Sequence, residues 1–329
     1  MEFTKENLKL EDGLKKEWLI TNGMGGFASS TIIGANTRKY HGLLIAPLTP
    51  PAQRYLILSK VDESIKIEDV KYDLYTNIGE NYISQGYKYQ EKFEKDNFPV
   101  YTYKVNGTEI SKTICMEQGK EIVGIQYKIK NTNKKAILTL APIVNFRDFH
   151  SMSTDHVFDV KQQINGTKVK LVIDGNSKTP VYMNLSEGSY IRHENDTFKN
   201  MFYIEEEKRG FFPEEKRGFY PKENHSVTGV YEIELQPNEE KEISFVCGLE
   251  ENIEEIDSMI NAVSNGWSTS RMAKPDLAIS RVAAAEILYA DDVPQAVAIN
   301  EAVNLSKLYG TEQSPKFINA VLGKIVKKL

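Results

Sequence analysis

Residues 100–116, VYTYKVNGTEISKTICM, predict the fold of most of the chain. Apolar and polar side chains alternate on both sides of Asn106 and Gly107. A two-residue Asn-Gly connection between alternating runs is typical of a primed turn that joins two antiparallel strands. The segment 158–173 has the same arrangement around a second Asn-Gly pair at 165–166. Both segments therefore predict β-hairpins.

Further strand candidates continue this pattern on both sides, up to about residue 250. Asn, Gly, Pro and charged residues separate them, as expected of turns. The candidates are EIVGIQYKIKN (121–131), KAILTLAPIV (135–144), VTGVYEIELQ (227–236) and KEISFVCGL (241–249). Many short strands with turn signals between them are typical of two packed antiparallel sheets. We therefore expect a large antiparallel β-sandwich over residues 1–250.

Beyond Glu250 the apolar residues recur with a helical period. Pro275, Pro294 and Pro315 each lie where a first helical turn tolerates proline, so three helices are predicted. The second is expected to bury Ala298, Ala302, Leu305 and Tyr309 along one face and to end at Gly310; the third has an apolar stripe of Phe317, Ile318, Val321, Leu322 and Ile325. With a fourth helix predicted at 253–263, residues 251–329 form a small all-α domain.

Composition narrows the class of protein. A chain of 329 residues with 40% hydrophobic and 26% charged residues is expected to form two globular domains. We find no apolar run of membrane-spanning length and no signal-like start, and two cysteines cannot form a disulfide framework, so a cytoplasmic location is expected. The net charge of -5 gives no general attraction for nucleic acid. The five histidines lack paired ligand spacing, so neither a metal nor another cofactor is predicted.

Candidate binding residues concentrate in residues 21–46, TNGMGGFASSTIIGANTRKYHGLLIA. Five glycines allow positive φ angles and close backbone approach, and the RKYH run at 38–41 supplies hydrogen-bonding groups suited to a polyhydroxylated or anionic ligand. GMGGFA also satisfies a loose dinucleotide motif, but the residues that follow favour extended structure, and position 41 is a histidine where that fold needs an acid. Ordinary hairpin glycines beside a solvated basic turn remain the alternative.

Three segments carry a resemblance to a known family. They are EWLITNGMGGFASSTIIGANTRKYHGLL, APIVNFRDFHS and ISFVCGLEE. Together they resemble the N-terminal domain of the bacterial and archaeal type of glycogen debranching enzyme, an amylo-α-1,6-glucosidase, over about residues 15–250. The resemblance implies a β-sandwich that binds α-glucan, such as glycogen or a maltooligosaccharide, and that precedes an α/α barrel carrying the catalytic acids.

We expect the glycine-rich motif and the RDFH motif at 147–150 to meet at one rim of the sandwich, because both lie at strand ends. Their side chains are of the types that hold sugars through hydrogen bonds and planar groups. The candidate substrate-binding residues are Asn22, Gly25, Gly26, Arg38, Tyr40, His41, Arg147, Asp148 and His150. For RDFH the alternative is an Arg and Asp pair that stabilises a turn.

The helical part is similar to a different family. Residues 267–326 contain DDVP, AINEAV, LSKLYG and SPKFINAVL, in the order found in the C-terminal half of the transcription antitermination factor NusB. The resemblance covers about residues 253–329 and implies contact with boxA RNA or a ribosomal protein. The N-terminal helical half of that family is missing, so self-association through the apolar faces is expected. The join is predicted between Leu249 and Asp257.

Together with the resemblance to the debranching-enzyme domain, these patterns predict an α-glucan-binding domain without catalytic activity of its own. Glycoside cleavage needs two opposed carboxyl groups, and Asp62, Glu63, Asp148 and Asp155 give no evident pair. RNA or ribosomal-protein binding through the helices and residual α-1,6-glucosidase activity are the alternatives. The tandem EKRGFFPE and EKRGFYPK at 207–222 is either a flap over a glycan or a duplication in a tolerant surface loop.

Overall fold

The computed structural model describes residues 1–49, 52–209, 221–249, 273–289 and 294–327. The chain divides into two compact units, Met1–Glu250 and Glu251–Leu329. We call them the sandwich unit and the helical unit. The helix predicted at 253–263 and most of the tandem duplication, residues 210–220, lie outside the described residues.

The sandwich unit consists of seventeen described strands, two short α-helices and two 3₁₀ helices, Lys5–Asn7 and Gly86–Tyr89. The strands are β1 Glu2–Thr4, β2 Glu17–Thr21, β3 Phe27–Thr31, β4 Gly42–Thr49, β5 Ala52–Ile67, β6 Val70–Asp73, β7 Gln90–Lys95, β8 Pro99–Val105, β9 Thr108–Met116, β10 Ile122–Lys130, β11 Ala136–Asp148, β12 Val160–Asn165, β13 Lys168–Ile173, β14 Val181–Leu185, β15 Ser189–Phe202, β16 Lys222–Leu235 and β17 Glu240–Gly248. The helices are α1 Leu10–Gly13 and α2 Ile204–Lys208.

The strands form two antiparallel sheets. The nine-stranded sheet has the order β1-β7-β8-β9-β10-β17-β14-β13-β12. The eight-stranded sheet has the order β15-β16-β11-β5-β4-β3-β2, with β6 paired to β5. Alternate side chains of both sheets are buried together, among them Ile65 and Leu138 from one sheet and Ile125 and Phe245 from the other. The predicted antiparallel β-sandwich is confirmed.

The predicted hairpins are present, one of them shifted by a residue. Between β8 and β9, Asn106 and Gly107 have φ angles of 46° and 88°, as a primed turn with two positive φ values requires. Between β12 and β13, Asn165 still pairs with Lys168, so the two turn residues are 166 and 167. The turn begins at Gly166, with φ of 61°, because glycine adopts the left-handed region without a steric penalty.

The helical unit contains three described helices, which confirms the predicted all-α character of this part. They are α3 Lys274–Tyr289, α4 Gln295–Tyr309 and α5 Ser314–Val326. The predicted stripe on α5 is buried at Ile318, Val321, Leu322 and Ile325, and it packs with alanines of the other two helices. None of the described helices has the length and apolar character that crossing a membrane needs.

The face that α4 buries differs from the prediction. Ala298 and Ala302 are buried as expected, but Leu305 is 39% exposed and Tyr309 is 67% exposed. The third buried position is Ser306, whose hydroxyl donates to the Val303 carbonyl at 2.7 Å. Small residues at intervals of four allow neighbouring helices to approach closely, and this spacing selects Ser306 rather than the larger Leu305.

A charged cluster connects the two sheets inside the sandwich. Glu63 on β5 is held by the ammonium of Lys112 on β9 at 2.6 Å and by the hydroxyl of Tyr127 on β10 at 2.7 Å. Asp62 and Glu63 both lie within β5, which continues to Ile67. Burial and the neighbouring Glu63 carboxylate raise the pKa of Tyr127 well above its usual value, so its hydroxyl stays protonated and donates.

Replacing Lys112 by methionine is expected to lower the free energy of unfolding of the sandwich unit by about 3 kcal/mol, because it leaves the Glu63 carboxylate buried without its cation. Urea unfolding at neutral pH measures the change. Lys128→Met is the matched control, since Lys128 pairs with Glu242 at 3.5 Å on the exposed surface and is expected to contribute less than about 1 kcal/mol. Equal effects of the two substitutions would contradict a structural role for the buried pair.

Candidate functional site

The glycine-rich motif forms the loop of the β2–β3 hairpin. Asn22 is fully buried, and its side-chain oxygen accepts hydrogen bonds from the backbone N–H groups of Met24 and Gly26, each at 3.0 Å. Gly25 has a φ of 98°, and a Cβ atom on Gly26 would lie 2.6 Å from the Asn22 amide nitrogen. For this loop the geometry therefore matches the hairpin interpretation, and no helix begins at the glycines as a dinucleotide fold would require.

Arg54 connects that loop to the RDFH motif. Its Nε donates to the carbonyl of Gly25 at 2.7 Å, and its guanidinium carbon lies 5.7 Å from the centre of the Phe149 ring. The backbone N–H of Phe149 in turn donates to the Arg54 carbonyl at 3.0 Å. Because Arg54 lies on β5, beside the end of β11, sheet pairing brings the two motifs to the same edge.

Arg147 is buried beneath this edge. It makes a bidentate ion pair with Glu223 on β16, with distances of 2.6 and 2.7 Å. The same guanidinium donates to the carbonyl of Lys39 at 2.7 Å and to those of Asp148 and Phe149 at 3.2 and 3.3 Å. The partner of Arg147 is therefore Glu223 rather than Asp148, which the turn-stabilising alternative had named.

Asp148 and Lys39 fix the turn that presents His150. The Asp148 carboxylate accepts the backbone N–H of His150 at 2.8 Å, while the buried ammonium of Lys39 donates to the His150 carbonyl. Burial lowers the pKa of Lys39. The His150 ring itself is exposed, and its Nδ1 lies 3.4 Å from the Tyr40 hydroxyl.

The side chains of Arg38 and His41 both interact with a carboxylate of the same sheet. Glu17 on β2 accepts from Arg38 Nε at 2.7 Å and lies 3.6 Å from His41 Nε2. His41 is buried, and its Nδ1 accepts the backbone N–H of Thr37 at 3.1 Å, so the ring proton faces Glu17. The hydrogen bond from His41, together with Arg38, lowers the pKa of Glu17 to about 2 despite partial burial.

The accessible part of this edge is a group of four side chains, which we call the aromatic rim: Tyr40, Arg54, Phe149 and His150. The rings of Tyr40 and Phe149 lie 5.4 Å apart, and those of Tyr40 and His150 lie 5.9 Å apart, both edge to face. Tyr40, Arg54 and Phe149 are half-buried. The rim offers planar surfaces beside hydrogen-bonding groups, a combination that suits the apolar faces and hydroxyls of a sugar.

Tyr40 and His150 were predicted from the sequence as site residues, whereas Arg54, Phe149 and Glu223 were not. Phe149 stood within the RDFH motif and could have been chosen as an aromatic residue. Nothing in the local sequence marks Arg54 or Glu223, because each acquires its partner through strand pairing. Within the described ranges, no group of three or more His, Cys, Asp or Glu residues is arranged to hold a metal ion.

A buried hydrogen-bond network supports Arg147 from the interior. The Glu223 carboxylate also accepts the Tyr203 hydroxyl and the backbone N–H of Ser153, and the Tyr203 hydroxyl lies 3.3 Å from His225 Nε2. Burial lowers the pKa of His225 to about 4. Burial alone would raise the pKa of Glu223, but the adjacent Arg147 charge keeps it below the usual value. At neutral pH the network therefore consists of one cation, one anion and a neutral imidazole.

Comparison with protein families agrees with this architecture. The family model described as glycogen debranching enzyme N terminal matches residues 16–242, which is most of the sandwich unit. This chain belongs to the glycogen debranching enzyme N-terminal family. The resemblance predicted for the first part of the chain is confirmed.

A second family model, the NusB family, matches residues 204–327 of this debranching-enzyme family member. The transcription antitermination protein NusB of Alkaliphilus oremlandii is 48% identical over 77 residues, 23% of this chain and 56% of that protein. The NusB protein of Limosilactobacillus reuteri is 43% identical over 106 residues, 30% of this chain and 76% of that protein. The chain spans little more than half the length of most of the curated relatives it matches. The predicted NusB resemblance is confirmed.

A solved structure described as a putative kojibiose phosphorylase from human microbiome also matches. The aligned region covers 81% of this chain and 30% of that protein's chain, with 13% sequence identity and a TM-score of 0.32.

Acidification is expected to destabilise the sandwich unit through His225. The unfolded chain binds a proton at this side chain near pH 6.5, whereas the folded chain binds it only near pH 4. The contribution of the neutral His225 side chain to stability is therefore fully present above pH 6.5 and is lost as the pH falls toward 4. His225→Gln is expected to flatten the pH dependence of the free energy of unfolding, measured with urea between pH 7 and 4. An unaltered slope in His225→Gln would contradict the assignment.

Proposed function

We propose that the sandwich unit binds an α-glucan chain at the aromatic rim. One observation carries the proposal: two segments 108 residues apart, at Lys39 and Arg147, are tied together so that aromatic rings, an imidazole and a guanidinium reach the same accessible edge. Membership of the debranching-enzyme N-terminal family supports a glucan as the ligand.

We assign the nine predicted site residues to two groups: residues that contact the ligand and residues that hold the contact residues in position. Tyr40 and His150 are proposed to contact the glucan, because their polar groups lie at the accessible edge. The other seven are proposed to position the contact residues, since their polar groups are hydrogen-bonded within the sandwich or their backbones form the supporting loops. These are Asn22, Gly25, Gly26, Arg38, His41, Arg147 and Asp148.

Arg54 and Phe149 complete the contact surface. Phe149 offers a ring against which the apolar face of a glucose unit can pack, and Arg54 covers part of that ring at 5.7 Å. Arg54 Nε is engaged by the Gly25 carbonyl, so the planar guanidinium is held in a fixed orientation. A preorganised surface of this kind loses less conformational entropy when it binds a ligand.

Binding without cleavage is the activity that we propose for this chain. Glycoside hydrolysis needs an acid and a second carboxylate on opposite sides of the bond. Asp62 and Glu63 are buried and paired with lysines, and Asp148 accepts a backbone N–H. Glu17, which lies beside the RKYH run, is held by Arg38 and His41. Release of reducing ends from a branched dextrin would instead favour the residual α-1,6-glucosidase alternative.

The helical unit supports a second candidate function. Its similarity to transcription antitermination proteins favours contact with RNA or with a protein of the transcription or translation machinery. Titration with a short boxA-like RNA tests the first of these directly. RNA binding that survives every substitution in the aromatic rim would assign that function to the helical unit and leave the glucan proposal unaffected.

His150→Ala and Phe149→Ala are each expected to weaken maltooligosaccharide binding about tenfold, a loss of about 1.4 kcal/mol, since each removes one contact of the kind that holds a sugar. Isothermal titration with maltoheptaose measures the change. Phe98→Ala is the matched control, because Phe98 is 42% exposed and lies in the turn between β7 and β8.

The melting temperature separates lost contacts from lost folding. Both rim variants are expected to melt close to the parent chain, because their side chains are at least partly exposed. Arg147→Lys is expected to weaken binding and to lower the melting temperature as well, since lysine cannot make the bidentate pair with Glu223. Unchanged affinity in both His150→Ala and Phe149→Ala would remove the rim from the binding site.

A further inference from the structure

The interior of the sandwich unit contains a cavity of about 20 Å³ beside the ion pair of Glu63 and Lys112. Side chains of both sheets line this cavity: Glu63 on β5 of the eight-stranded sheet, and Tyr103 on β8 and Lys112 on β9 of the nine-stranded sheet. Glu63, Tyr103 and Lys112 are 3%, 5% and 7% exposed. Polar groups buried to this extent need hydrogen-bond partners inside the protein.

The Glu63 carboxylate uses one of its two oxygens. Oε1 accepts the Tyr127 hydroxyl at 2.7 Å and lies 2.6 Å from Lys112 Nζ. Within the described ranges, no hydrogen bond reaches Oε2. A buried carboxylate oxygen has room for further donors, so Oε2 is an acceptor on the wall of the cavity.

Tyr103 contributes a donor to the same cavity. Its ring is stacked on that of Tyr101 at 6.4 Å, but the two hydroxyls differ in their surroundings. The Tyr101 hydroxyl donates to the Thr31 carbonyl at 2.8 Å and accepts the Trp18 ring N–H. Among the described residues, nothing accepts a hydrogen bond from the Tyr103 hydroxyl. Burial and the nearby Glu63 raise the pKa of Tyr103 well above its usual value, so this hydroxyl keeps its proton.

Lys112 contributes a second donor. An ammonium group has three N–H bonds. Besides Glu63, the Lys112 ammonium meets the Val61 carbonyl at 3.4 Å, which is a long contact. The face of the Tyr101 ring lies 6.0 Å away. At least one N–H of Lys112 is therefore available to an acceptor in the cavity.

We propose that the cavity binds one water molecule, which accepts hydrogen bonds from Tyr103 and Lys112 and donates one to Oε2 of Glu63. A cavity above about 10–15 Å³ can hold a water molecule, and buried waters typically make about three hydrogen bonds. The bound water links β5 of one sheet to β8 and β9 of the other. It thereby extends the direct contacts of Glu63 with Lys112 and Tyr127.

The mixed charge of the lining selects a neutral molecule. The Glu63 oxygen repels an anion such as chloride, and the Lys112 ammonium repels a cation. The volume excludes anything as large as a sugar, so this site is separate from the aromatic rim. Gly34 and Tyr75 also line the cavity and are only half-buried, so water can exchange with the solvent beside them.

The sign of the effect of Tyr103→Phe on stability tests the proposal. A hydroxyl bonded to a bound water stabilises the fold, so its removal is expected to raise the unfolding equilibrium constant of the sandwich unit about fivefold. Urea unfolding of the full chain measures this constant. A buried hydroxyl without a partner opposes folding, and its removal would leave the constant unchanged or lower it. Either of those two results would overturn the proposal.

Tyr231→Phe is the matched control. Tyr231 is fully buried, its hydroxyl has no hydrogen-bond partner among the described residues, and it does not line the cavity. This substitution is expected to leave the unfolding constant unchanged or to lower it. If both substitutions raised the constant equally, the loss would come from the packing of the hydroxyl oxygen and the proposal would fail.

A high-resolution crystal structure of the full chain locates the molecule directly. One ordered water is expected within about 3.2 Å of the Tyr103 hydroxyl, Lys112 Nζ and Glu63 Oε2. A cavity without electron density would contradict the proposal. So would an anion there, which a bromide soak would reveal by anomalous scattering.

Discussion

The buried guanidinium of Arg147 is the constraint on which the geometry of the aromatic rim depends. A charge in this position is tolerated only when its partners compensate for the lost hydration. Glu223 supplies the opposite charge, and the carbonyls of Lys39, Asp148 and Phe149 accept the remaining donors. Because those carbonyls belong to two distant segments, one interior group sets the spacing of both motifs.

The need of buried polar groups for hydrogen-bond partners also explains why polar residues in the motifs have different roles. A tight loop with buried backbone groups needs acceptors and donors of its own, so Asn22 and His41 are used within the fold. Their residue types would serve a sugar equally well, which is why the sequence favoured them as ligand contacts. What remains for a ligand is the set whose polar or planar groups are not enclosed, above all His150 and Tyr40.

Features set by local sequence could be predicted, and features set by strand pairing could not. The turn at Asn106 and Gly107 follows from the steric freedom of those residues, and the buried stripe of α5 follows from its period. The meeting of the two motifs was predicted only from the fact that both lie at the ends of strands. In contrast, Glu223 becomes the partner of Arg147 only because β16 pairs with β11. Leu305 was misplaced because periodicity does not determine which of two adjacent helix faces a neighbour covers.

The aromatic rim also limits where the two families can be joined. Their models overlap over residues 204–242, yet β16 lies between β15 and β11, and β17 lies between β10 and β14. Exchanging either strand for helical sequence would split a sheet. Loss of β16 would also remove Glu223 and leave the Arg147 charge buried without a counterion. Two intact sheets and the Arg147–Glu223 pair therefore require the sandwich sequence to continue through Gly248, where β17 ends.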